Sequence, residues 1–440
     1  MHRSLVLLTI SLSVTVNYAF VIRRARDENQ TVNRCGRVFL TVSSFKHTFL
    51  ELNWQISACK SNDASRPDQI ALYNSDPRAG SAKELLRINP LNYVDQFYRT
   101  SIPFGFPTLP GNWNYNNFID GNSTTVPTPG SHCFPYWIAS LKSDRVIYTE
   151  CFKIQPTWMA DNSEKLAKLP IGKAFIPGTH NSATSPKDIT YVDAYSVNQD
   201  RDIWTQLVFG NRYLDLRIAY YKQSDRFTVN HDLISFGSVH AVFDQIKAFI
   251  RLAPKELVVI DFHRFPYPKD FPHGKFVQLL KNEFGDYYVQ QTVPKNAKGH
   301  LFSEIWATGR NLLLCYNHPN TSIKYSDFLW QPIYQYWGDR SSTSGLKTFV
   351  KSAIDDAKNS NAYNRYSNPL WAIMAELTPT KFDVIFNLND LRELADRVNL
   401  PITRWFRDEW PNDVNIIASD FFLGNDLINV AIEANVLKNY

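Results

Sequence analysis

Apolar and polar side chains alternate with a period of two through the first third of the chain. The clearest case is the segment from 50 to 56, in which every second residue is apolar. This is the period expected of a half-buried strand. Further strands are predicted at 38–42, 70–73, 136–141 and 146–154. Residues 103–131 are rich in Pro, Gly, Asn and Thr and predict a long loop, so residues 33–158 are predicted to form a small all-β sandwich.

From residue 158 onward, strand and helix patterns alternate. Apolar residues at helical spacing between Val239 and Ile250 predict a helix that joins a strand ending at His231 to a strand at 257–262. Such a βαβ unit implies parallel strands. Other predicted strands lie at 311–316, 371–377 and 415–421, and other predicted helices near 275–283, 345–357, 388–398 and 425–437. The repetition predicts an α/β fold with a TIM-like (β/α) barrel at 159–440, preceded by the sandwich domain.

The amino terminus has the pattern of a secretory signal peptide. His2 and Arg3 precede an apolar run of about twelve residues, and Ala19 comes before a polar stretch. We predict a signal peptide at 1–19, with an uncleaved signal anchor as the alternative, because the run is too short to span a membrane. Residues 20–32 form a basic spacer, whose run Arg23-Arg24-Ala25-Arg26 is either a convertase site or simply a charged segment.

Glycosylation triplets and cysteines agree with secretion. Acceptor triplets begin at Asn29, Asn122 and Asn320. Four of the five cysteines fall in the first third, at Cys35, Cys59, Cys133 and Cys151. Three connectivities are possible; we favour Cys133 with Cys151, which bracket a predicted hairpin, and this leaves Cys35 with Cys59. Cys315, inside an apolar run, is predicted to be a buried strand thiol. An extracellular protein with two disulfides is therefore expected.

The composition is that of an ordinary globular protein. The chain has 440 residues, of which 44% are hydrophobic, and a formal net charge of +5. That charge is too small for the length to indicate nucleic-acid binding, and would at most assist approach to an anionic membrane surface. No segment after the amino terminus reaches about eighteen unbroken apolar residues, so no transmembrane segment is expected.

Two histidines at the ends of predicted strands carry the candidate chemistry. His180 ends the run Ile176-Pro177-Gly178-Thr179, and His231 follows Val229-Asn230. Between them, the half-buried strand 213–218 presents Asp215 and Arg217 on one face. One imidazole can take a proton from an attacking hydroxyl, the other can protonate a leaving oxygen, and a guanidinium can hold the charge on phosphorus. The set suits cleavage of a phosphodiester.

These segments also resemble a known family. The run 176–182 is similar to the first block of the phosphatidylinositol-specific phospholipase C X domain, and similar blocks follow in the family's order at 210–217, 231–232 and 257–262. The resemblance covers roughly residues 165–440 and is closest to the X-domain-only branch. It implies a TIM-like barrel and a phosphoric diester hydrolase that acts on phosphatidylinositol or on glycosylphosphatidylinositol anchors at a membrane surface.

The resemblance assigns roles to individual residues. His180 matches the general base that deprotonates the inositol 2-hydroxyl, His231 matches the general acid for the diacylglycerol oxygen, and Asp420 resembles the aspartate that orients the base. Asn181, Asp215, Asp261 and Glu376 are expected to bind substrate, and the last two are equally open to a structural role as hydrogen-bond acceptors. His263 and Arg264 could contact substrate, but a position at the rim or in a loop is favoured.

Arg217 decides the expected metal dependence. The matching residue is an acidic calcium ligand in the large eukaryotic enzymes and an arginine in the bacterial ones. Asn181, Asp215 and Asp261 also match oxygen ligands of the calcium-dependent branch, but a cation beside Arg217 would be repelled. We therefore expect no cofactor or metal. Asn181 departs from the bacterial aspartate that assists the leaving group, so the efficiency of the acid step is open.

Two alternatives stay open. A glycerophosphodiesterase or phospholipase D-like barrel also uses two histidines, but it needs an acidic metal cage, which Arg217 opposes. Alternatively, the barrel is a weakly active or inactive lipid- or partner-binding scaffold and the β-sandwich is the working part. Trp113, Tyr115 and Phe118 in the long loop could insert into a membrane, or they could simply pack the loop.

Overall fold

Antiparallel strands form the first part of the structure. The computed structural model describes residues 34–440 apart from 46–47, 58, 61–65, 120–124, 186–193, 268–270, 292–299 and 360–367. The signal peptide, the spacer and two of the glycosylation triplets lie outside the described residues. The strands are β1 (Val38–Val42), β2 (Phe49–Trp54), β3 (Gln69–Tyr73), β4 (Glu84–Ile88), β5 (Phe97–Pro103), β6 (His132–Lys142) and β7 (Arg145–Ile154). They make two sheets, with the orders β1-β2-β5 and β4-β3-β6-β7.

The structure contains the two disulfides that were predicted from the sequence. Cys35 is bonded to Cys59, and Cys133 in β6 is bonded to Cys151 in the neighbouring β7. Cys315 is a free, buried thiol. The predicted pairing and the predicted state of the fifth cysteine are confirmed.

Helices and mostly parallel strands form the second part. The strands are β8 (Ile176–Thr179), β9 (Tyr213–Tyr221), β10 (Arg226–His231), β11 (Ile234–Ser238), β12 (Val258–Arg264), β13 (Leu312–Tyr316), β14 (Tyr334–Tyr336), β15 (Trp371–Met374) and β16 (Ile416–Ser419). The helices are α1 (Trp158–Asp161), α2 (Ser163–Leu166), α3 (Ile203–Phe209), α4 (Val239–Leu252), α5 (His273–Phe284), α6 (Phe302–Trp306), α7 (Pro319–Lys324), α8 (Thr343–Asn359), α9 (Lys381–Phe386), α10 (Leu391–Asp408) and α11 (Leu427–Leu437). Parallel ladders connect β13-β12-β9-β8-β16-β15-β14, so the fold is mixed α/β.

The strand that carries His231 corrects the sequence prediction. It was expected to form a parallel βαβ unit with the strand at 257–262, but β10 is antiparallel to both β9 and β11. His231 pairs with Ile234 across a two-residue turn, in which Asp232 has a left-handed φ of 46°. The parallel neighbours of β12 are β9 and β13 instead. The antiparallel pairing of β10 with β9, in which Val229 lies opposite Ile218, brings His231 back to the level of Arg217.

One apolar core runs from the first sheets into the parallel sheet. Phe134 of β6 stacks on Phe209 of α3, with ring centroids 5.8 Å apart. Trp113 is 1% exposed, and Tyr115 and Phe118 pack against Trp204, so packing of the loop, not membrane insertion, accounts for these aromatic residues. Residues 35–440 form one compact unit, and the boundary between domains near residue 159 stays a prediction. Within the described residues no helix is both long and apolar enough to cross a membrane.

A buried ion pair holds the amino-terminal end of β9. Arg212 Nη2 donates to Glu256 Oε2 at 2.7 Å, and both side chains are fully buried. Arg212 Nε also donates to Glu256 Oε2 at 2.9 Å, and Nη1 donates to backbone carbonyls, including that of Leu207 at 2.7 Å. Arg212 lies in the block that resembles the phospholipase family, yet the structure gives it a role in stability. Removing either partner would leave an uncompensated buried charge.

Candidate active site

Polar side chains at one end of the parallel sheet line a cavity of about 850 Å³. Five residues expected from the sequence to act in catalysis or substrate binding line it: His180, Arg217, His231, Glu376 and Asp420. His180 and Asp420 directly follow β8 and β16, Arg217 lies in β9, and His231 ends β10. The cavity thus collects groups that are far apart in the chain, because each lies where its strand ends or leaves the parallel ladder.

His180 is held between a carboxylate and a guanidinium. Its Nδ1 donates to Asp420 Oδ1 at 2.9 Å, and Arg217 Nη2 donates to its Nε2 at 3.0 Å. The first strand of the second part, β8, pairs in parallel with β16, which brings His180 beside Asp420. With the Nδ1 proton directed to Asp420, Nε2 carries the lone pair, which accepts from Arg217 here and can take a proton when Arg217 turns away. This is the form that a general base requires.

Opposing charges set the protonation of His180. Burial lowers the pKa of this imidazole, but the attraction and the hydrogen bond of Asp420, helped by Glu376, leave the pKa above its usual value. Arg217 acts in the opposite direction. Asp420 therefore both orients the ring and increases its basicity.

Asn198 supports the carboxylate of Asp420. Its Nδ2 donates to Asp420 Oδ2 at 3.0 Å, and its Oδ1 accepts from Asn181 Nδ2 at 3.1 Å and from Thr184 Oγ1 at 3.2 Å. Both oxygens of Asp420 are thus used, one for His180 and one for Asn198. Asn198 could not be predicted from the sequence, because it lies in a stretch without strand or helix periodicity.

The turn after β8 depends on two unusual backbone positions. An added Cβ on Gly178 would lie 2.6 Å from Tyr213 Cβ, so only glycine allows β8 to approach β9 this closely. Asn181 has a left-handed φ of 43°, a conformation that Asn tolerates better than most residues. Its backbone N–H donates to Asp215 Oδ2 at 3.0 Å. The turn is therefore connected to β9 directly.

Asn181, Asp215 and Asp261 lie behind the cavity wall. All three side chains are buried, and none lines the cavity. Asp261 Oδ2 accepts from Tyr213 Oη at 2.9 Å and from Gln335 Nε2 at 3.0 Å, as a structural acceptor would. The expected direct contact of these three residues with substrate is not supported by this arrangement. They support the residues that do face the cavity.

His231 presents its second nitrogen to the cavity. Its Nδ1 donates to the carbonyl of Ser196 at 2.8 Å, which leaves Nε2 for a ligand. Burial lowers the pKa of His231, and the nearby charges of Arg217 and His180 lower it further, while the Ser196 carbonyl opposes them. Without a bound anion, His231 is therefore the imidazole that loses its proton more easily.

Glu376 is a carboxyl group with an unusual proton affinity. It follows β15 and lines the cavity, where burial raises its pKa to about 7, although His180 opposes the shift. Thr378 Oγ1 lies 3.5 Å from Glu376 Oε2. A neutral carboxyl at this position could donate a hydrogen bond to a hydroxyl of a ligand.

Three buried side chains near the cavity carry oxygen atoms of the kind that a divalent cation binds. Buried oxygens without a hydrogen-bond partner occur on Asn181, Asp215 and Asp261, which are the residues that resemble calcium ligands. However, Arg217 Nη2 lies 3.8 Å from Asp215 Oδ2, and Arg217 and His180 lower the pKa of Asp215 although burial raises it. Among the residues that the structure describes, no three His, Cys, Asp or Glu side chains group as a metal site requires. The positive charge beside Asp215 is that of Arg217, so these residues do not fit a resident cation.

Several cavity residues were not anticipated. Ser196, Gln335, Trp337, Thr378 and Leu233 all line the cavity. His263 and Arg264, expected at the rim or in a loop, line it as well. The other described histidines, His132, His240, His273, His300 and His318, lie outside it. Most of the unanticipated residues come from short connecting segments, whose sequence has no periodicity.

Comparison with known proteins confirms the resemblance noted in the sequence. PI-PLC X domain-containing protein 3 of Mus musculus is 24% identical over 314 residues, which are 64% of this chain and 94% of the relative. PI-PLC X domain-containing protein 1 of Homo sapiens is 23% identical over 317 residues, which are 65% of this chain and 94% of the relative. A solved mutant of phosphatidylinositol-specific phospholipase C from Staphylococcus aureus is 16% identical, with a TM-score of 0.48, covering 63% of this chain and 97% of that chain. No protein-family model matches the chain.

Proposed function

We propose that this chain is a phosphoric diester hydrolase of the phosphatidylinositol-specific phospholipase C type. One observation carries the proposal: His180 is hydrogen-bonded to both Asp420 and Arg217 at a cavity that His231 also lines. A base, its orienting carboxylate, a fixed cation and a second imidazole are the groups that such a reaction needs. The similarity to proteins named for the X domain supports the same conclusion.

The chemistry would begin at His180. Its Nε2 takes the proton of the inositol 2-hydroxyl, and that oxygen attacks the phosphorus of the same molecule. Arg217 would turn from Nε2 to a phosphate oxygen and stabilise the charge that develops there. His231 gives a proton to the glycerol oxygen as its bond to phosphorus breaks. The products are diacylglycerol and an inositol cyclic phosphate. The two histidines, with their roles exchanged, could then catalyse hydrolysis of the cyclic phosphate by water.

Substrate binding would favour the productive protonation state. That state has His180 neutral and His231 protonated, whereas the pKa of His180 is raised and that of His231 is lowered in the free protein. A phosphodiester in the cavity adds a negative charge that attracts a proton to His231. Binding and protonation of the acid would therefore be coupled.

The proposal includes a metal-independent reaction. Arg217 would supply the charge that calcium supplies elsewhere, which agrees with its position beside Asp215. The glycerophosphodiesterase alternative would need an acidic cage, and the described residues hold no group of three suitable ligands. We also propose that β8–β16 close as a TIM-like barrel, that the two antiparallel sheets pack as a sandwich, and that the chain is secreted. The two disulfides are compatible with secretion.

The test is product analysis with matched histidine variants. Purified protein is incubated with labelled phosphatidylinositol and with a glycosylphosphatidylinositol-anchored protein, with and without chelator. His180→Ala and His231→Ala should each reduce cleavage about 10²- to 10⁴-fold with an unchanged melting temperature. His240→Ala, an exposed histidine outside the cavity, is the control. Release of phosphatidic acid in place of diacylglycerol, or wild-type turnover by either variant, would exclude this mechanism.

A further inference from the structure

A second cavity is lined by residues of the long loop 103–131 and of helix α3. Its volume is about 430 Å³, which lies in the range of small-molecule sites. It shares no lining residue with the candidate active site. Its walls are mainly apolar and aromatic, and include Phe104, Leu109, Tyr115, Phe134, Trp204 and Phe209. A cavity of this size and composition can hold the apolar body of a small organic molecule.

Contacts among the wall residues hold this cavity open. Trp204 Nε1 donates to the carbonyl of Trp113 at 2.7 Å, and the ring of Tyr115 packs against that of Trp204 with centroids 5.3 Å apart. The rings of Phe104 and Phe134 meet edge to face, with centroids 5.1 Å apart. The walls are therefore formed before any ligand enters, which reduces the entropy that binding would cost.

The guanidinium of Arg201 lines this apolar cavity. The residue is 5% exposed, and its Nε is buried without a hydrogen-bond partner. Nη2 donates to the carbonyl of Gly105, and within the described part of the chain no carboxylate forms an ion pair with the guanidinium. Burial lowers the pKa of Arg201 to about 10, although the charges of Asp200 and Asp202 oppose the shift, so the group is charged at neutral pH. An uncompensated buried charge of this kind is costly.

Aromatic rings give Arg201 its closest electrostatic support. Its Cζ lies 3.9 Å from the ring centroid of Phe106 and 5.5 Å from that of Phe104. Such rings attract a cation, but they offer no oxygen to accept the N–H hydrogens. The guanidinium has five N–H donors, and a carboxylate accepts two of them at once. An anionic acceptor in the cavity would therefore supply what the protein does not.

Two carboxylates at the cavity limit the charge of its ligand. Asp200 and Asp202 both line it. Asp200 is paired with Arg392, and Asp202 Oδ1 accepts from the backbone N–H of Thr205 at 3.0 Å at the start of α3. These two negative charges would repel a second charge on the ligand more than they repel a first that is bonded to Arg201. The site thus favours a monoanion over a dianion such as a phosphate ester.

We propose that this cavity binds a small organic carboxylate that has an aromatic or short aliphatic body. The carboxylate accepts from Arg201, and the body lies among the aromatic walls. The inference does not depend on the proposed function, because it rests on residues that take no part in the candidate active site.

The test compares three probes that bind the full chain, by isothermal titration calorimetry. 3-Phenylpropionate supplies an aromatic body and a carboxylate, 3-phenylpropionamide has nearly the same shape without the charge, and phenyl phosphate is mainly a dianion at neutral pH. The carboxylate should bind with a Kd of about 1 mM or lower. The amide should bind at least about tenfold more weakly, because a charge-assisted hydrogen bond is stronger than a neutral one. Phenyl phosphate should also bind at least about tenfold more weakly, because of its second charge.

Two variants locate the binding. Arg201→Met removes the charge but keeps a long side chain, and it should weaken binding of 3-phenylpropionate at least about tenfold. Arg145→Met, at an exposed arginine that does not line the cavity, should bind as the wild type does. In the wild type, the resonance of the indole N–H of Trp204 should shift as 3-phenylpropionate is added.

Several results would overturn the inference. They are equal affinity for the acid and the amide, no binding of the acid, and equal affinity of Arg201→Met and wild type for the acid. Tighter binding of phenyl phosphate than of the acid would also overturn it, and would assign the cavity to phosphate esters. The comparison of acid and amide uses the unmodified protein, so it decides the question even if Arg201→Met does not fold.

Discussion

Replacing Asp420 by asparagine should inactivate the base while preserving the shape of the cavity. Asp420 accepts two hydrogen bonds, from His180 Nδ1 at 2.9 Å and from Asn198 Nδ2 at 3.0 Å. An asparagine has one oxygen for these two donors. Asn198 cannot turn to compensate, because its oxygen already accepts from Asn181 and Thr184. The new amide must therefore direct its oxygen to Asn198 and its N–H to His180.

This orientation gives His180 the wrong tautomer. Its Nδ1 would accept from the amide, so the ring proton would move to Nε2, toward Arg217 Nη2 at 3.0 Å. Two donors would then face each other, and Nε2 could not take a proton from a hydroxyl. Loss of the carboxylate charge would also lower the pKa of His180, which Asp420 raises against the effect of burial. In catalytic triads the same exchange costs about 10⁴-fold in kcat, and we expect about 10³- to 10⁴-fold here.

The assay is kcat for release of diacylglycerol, together with nitrogen chemical shifts of the His180 ring. Asp144→Asn, an exposed carboxylate remote in sequence from the cavity residues, is the control and should retain wild-type turnover. The reasoning fails if Asp420→Asn retains kcat within about tenfold of wild type. It also fails if the proton is still found on Nδ1.

The remaining predictions concern Arg217, Arg212 and Glu376. Arg217→Met should lower kcat about 10²- to 10³-fold. The wild-type protein should still cleave its substrate in the presence of a chelator. Loss of cleavage that added calcium restores would refute metal independence. Arg212→Met should lower the free energy of unfolding by about 3–5 kcal/mol in urea titration, because it leaves Glu256 charged and buried, and adding Glu256→Gln should recover part of it. Burial raises the pKa of Glu376 from 4.5 to about 7, so the contribution of this group to the free energy of unfolding should fall by at most about 3 kcal/mol as pH rises across that interval. The contribution is measured as the difference in pH dependence between wild type and Glu376→Gln.

Local periodicity predicted most strands and helices because their burial pattern is regular. The strands predicted at 38–42 and 311–316 are observed as β1 and β13 with nearly the same limits. Strand β14 has three residues, too few for any period to be recognised. Strand β4 was missed because its residues are mostly exposed and do not alternate. The helix expected near 388–398 continues to Asp408 in α10 despite the internal Pro401.

Strand direction and long-range contacts were beyond what the sequence pattern could supply. Alternation identifies the strand of His231 but does not indicate its direction. The hairpin was not predicted, because its two-residue turn lacks the Asn-Gly pair that is typical of such turns. The short motifs located His180, Arg217 and His231, because each motif spans only a few residues. Asn198 and Ser196 hold these groups from an irregular segment, and only the folded chain reveals their partners.

The left-handed backbone at Asn181 has a consequence for how this site could change over evolutionary time. A side chain with φ near 43° is tolerated chiefly by glycine, asparagine and aspartate, so the backbone restricts the residue before any catalytic demand is considered. Within that small set, an amide and a carboxylate differ by one atom type and one charge. A lineage could therefore exchange them without refolding the turn, but an aspartate could not donate to Asn198 Oδ1, so the exchange would act on the contacts that hold Asp420.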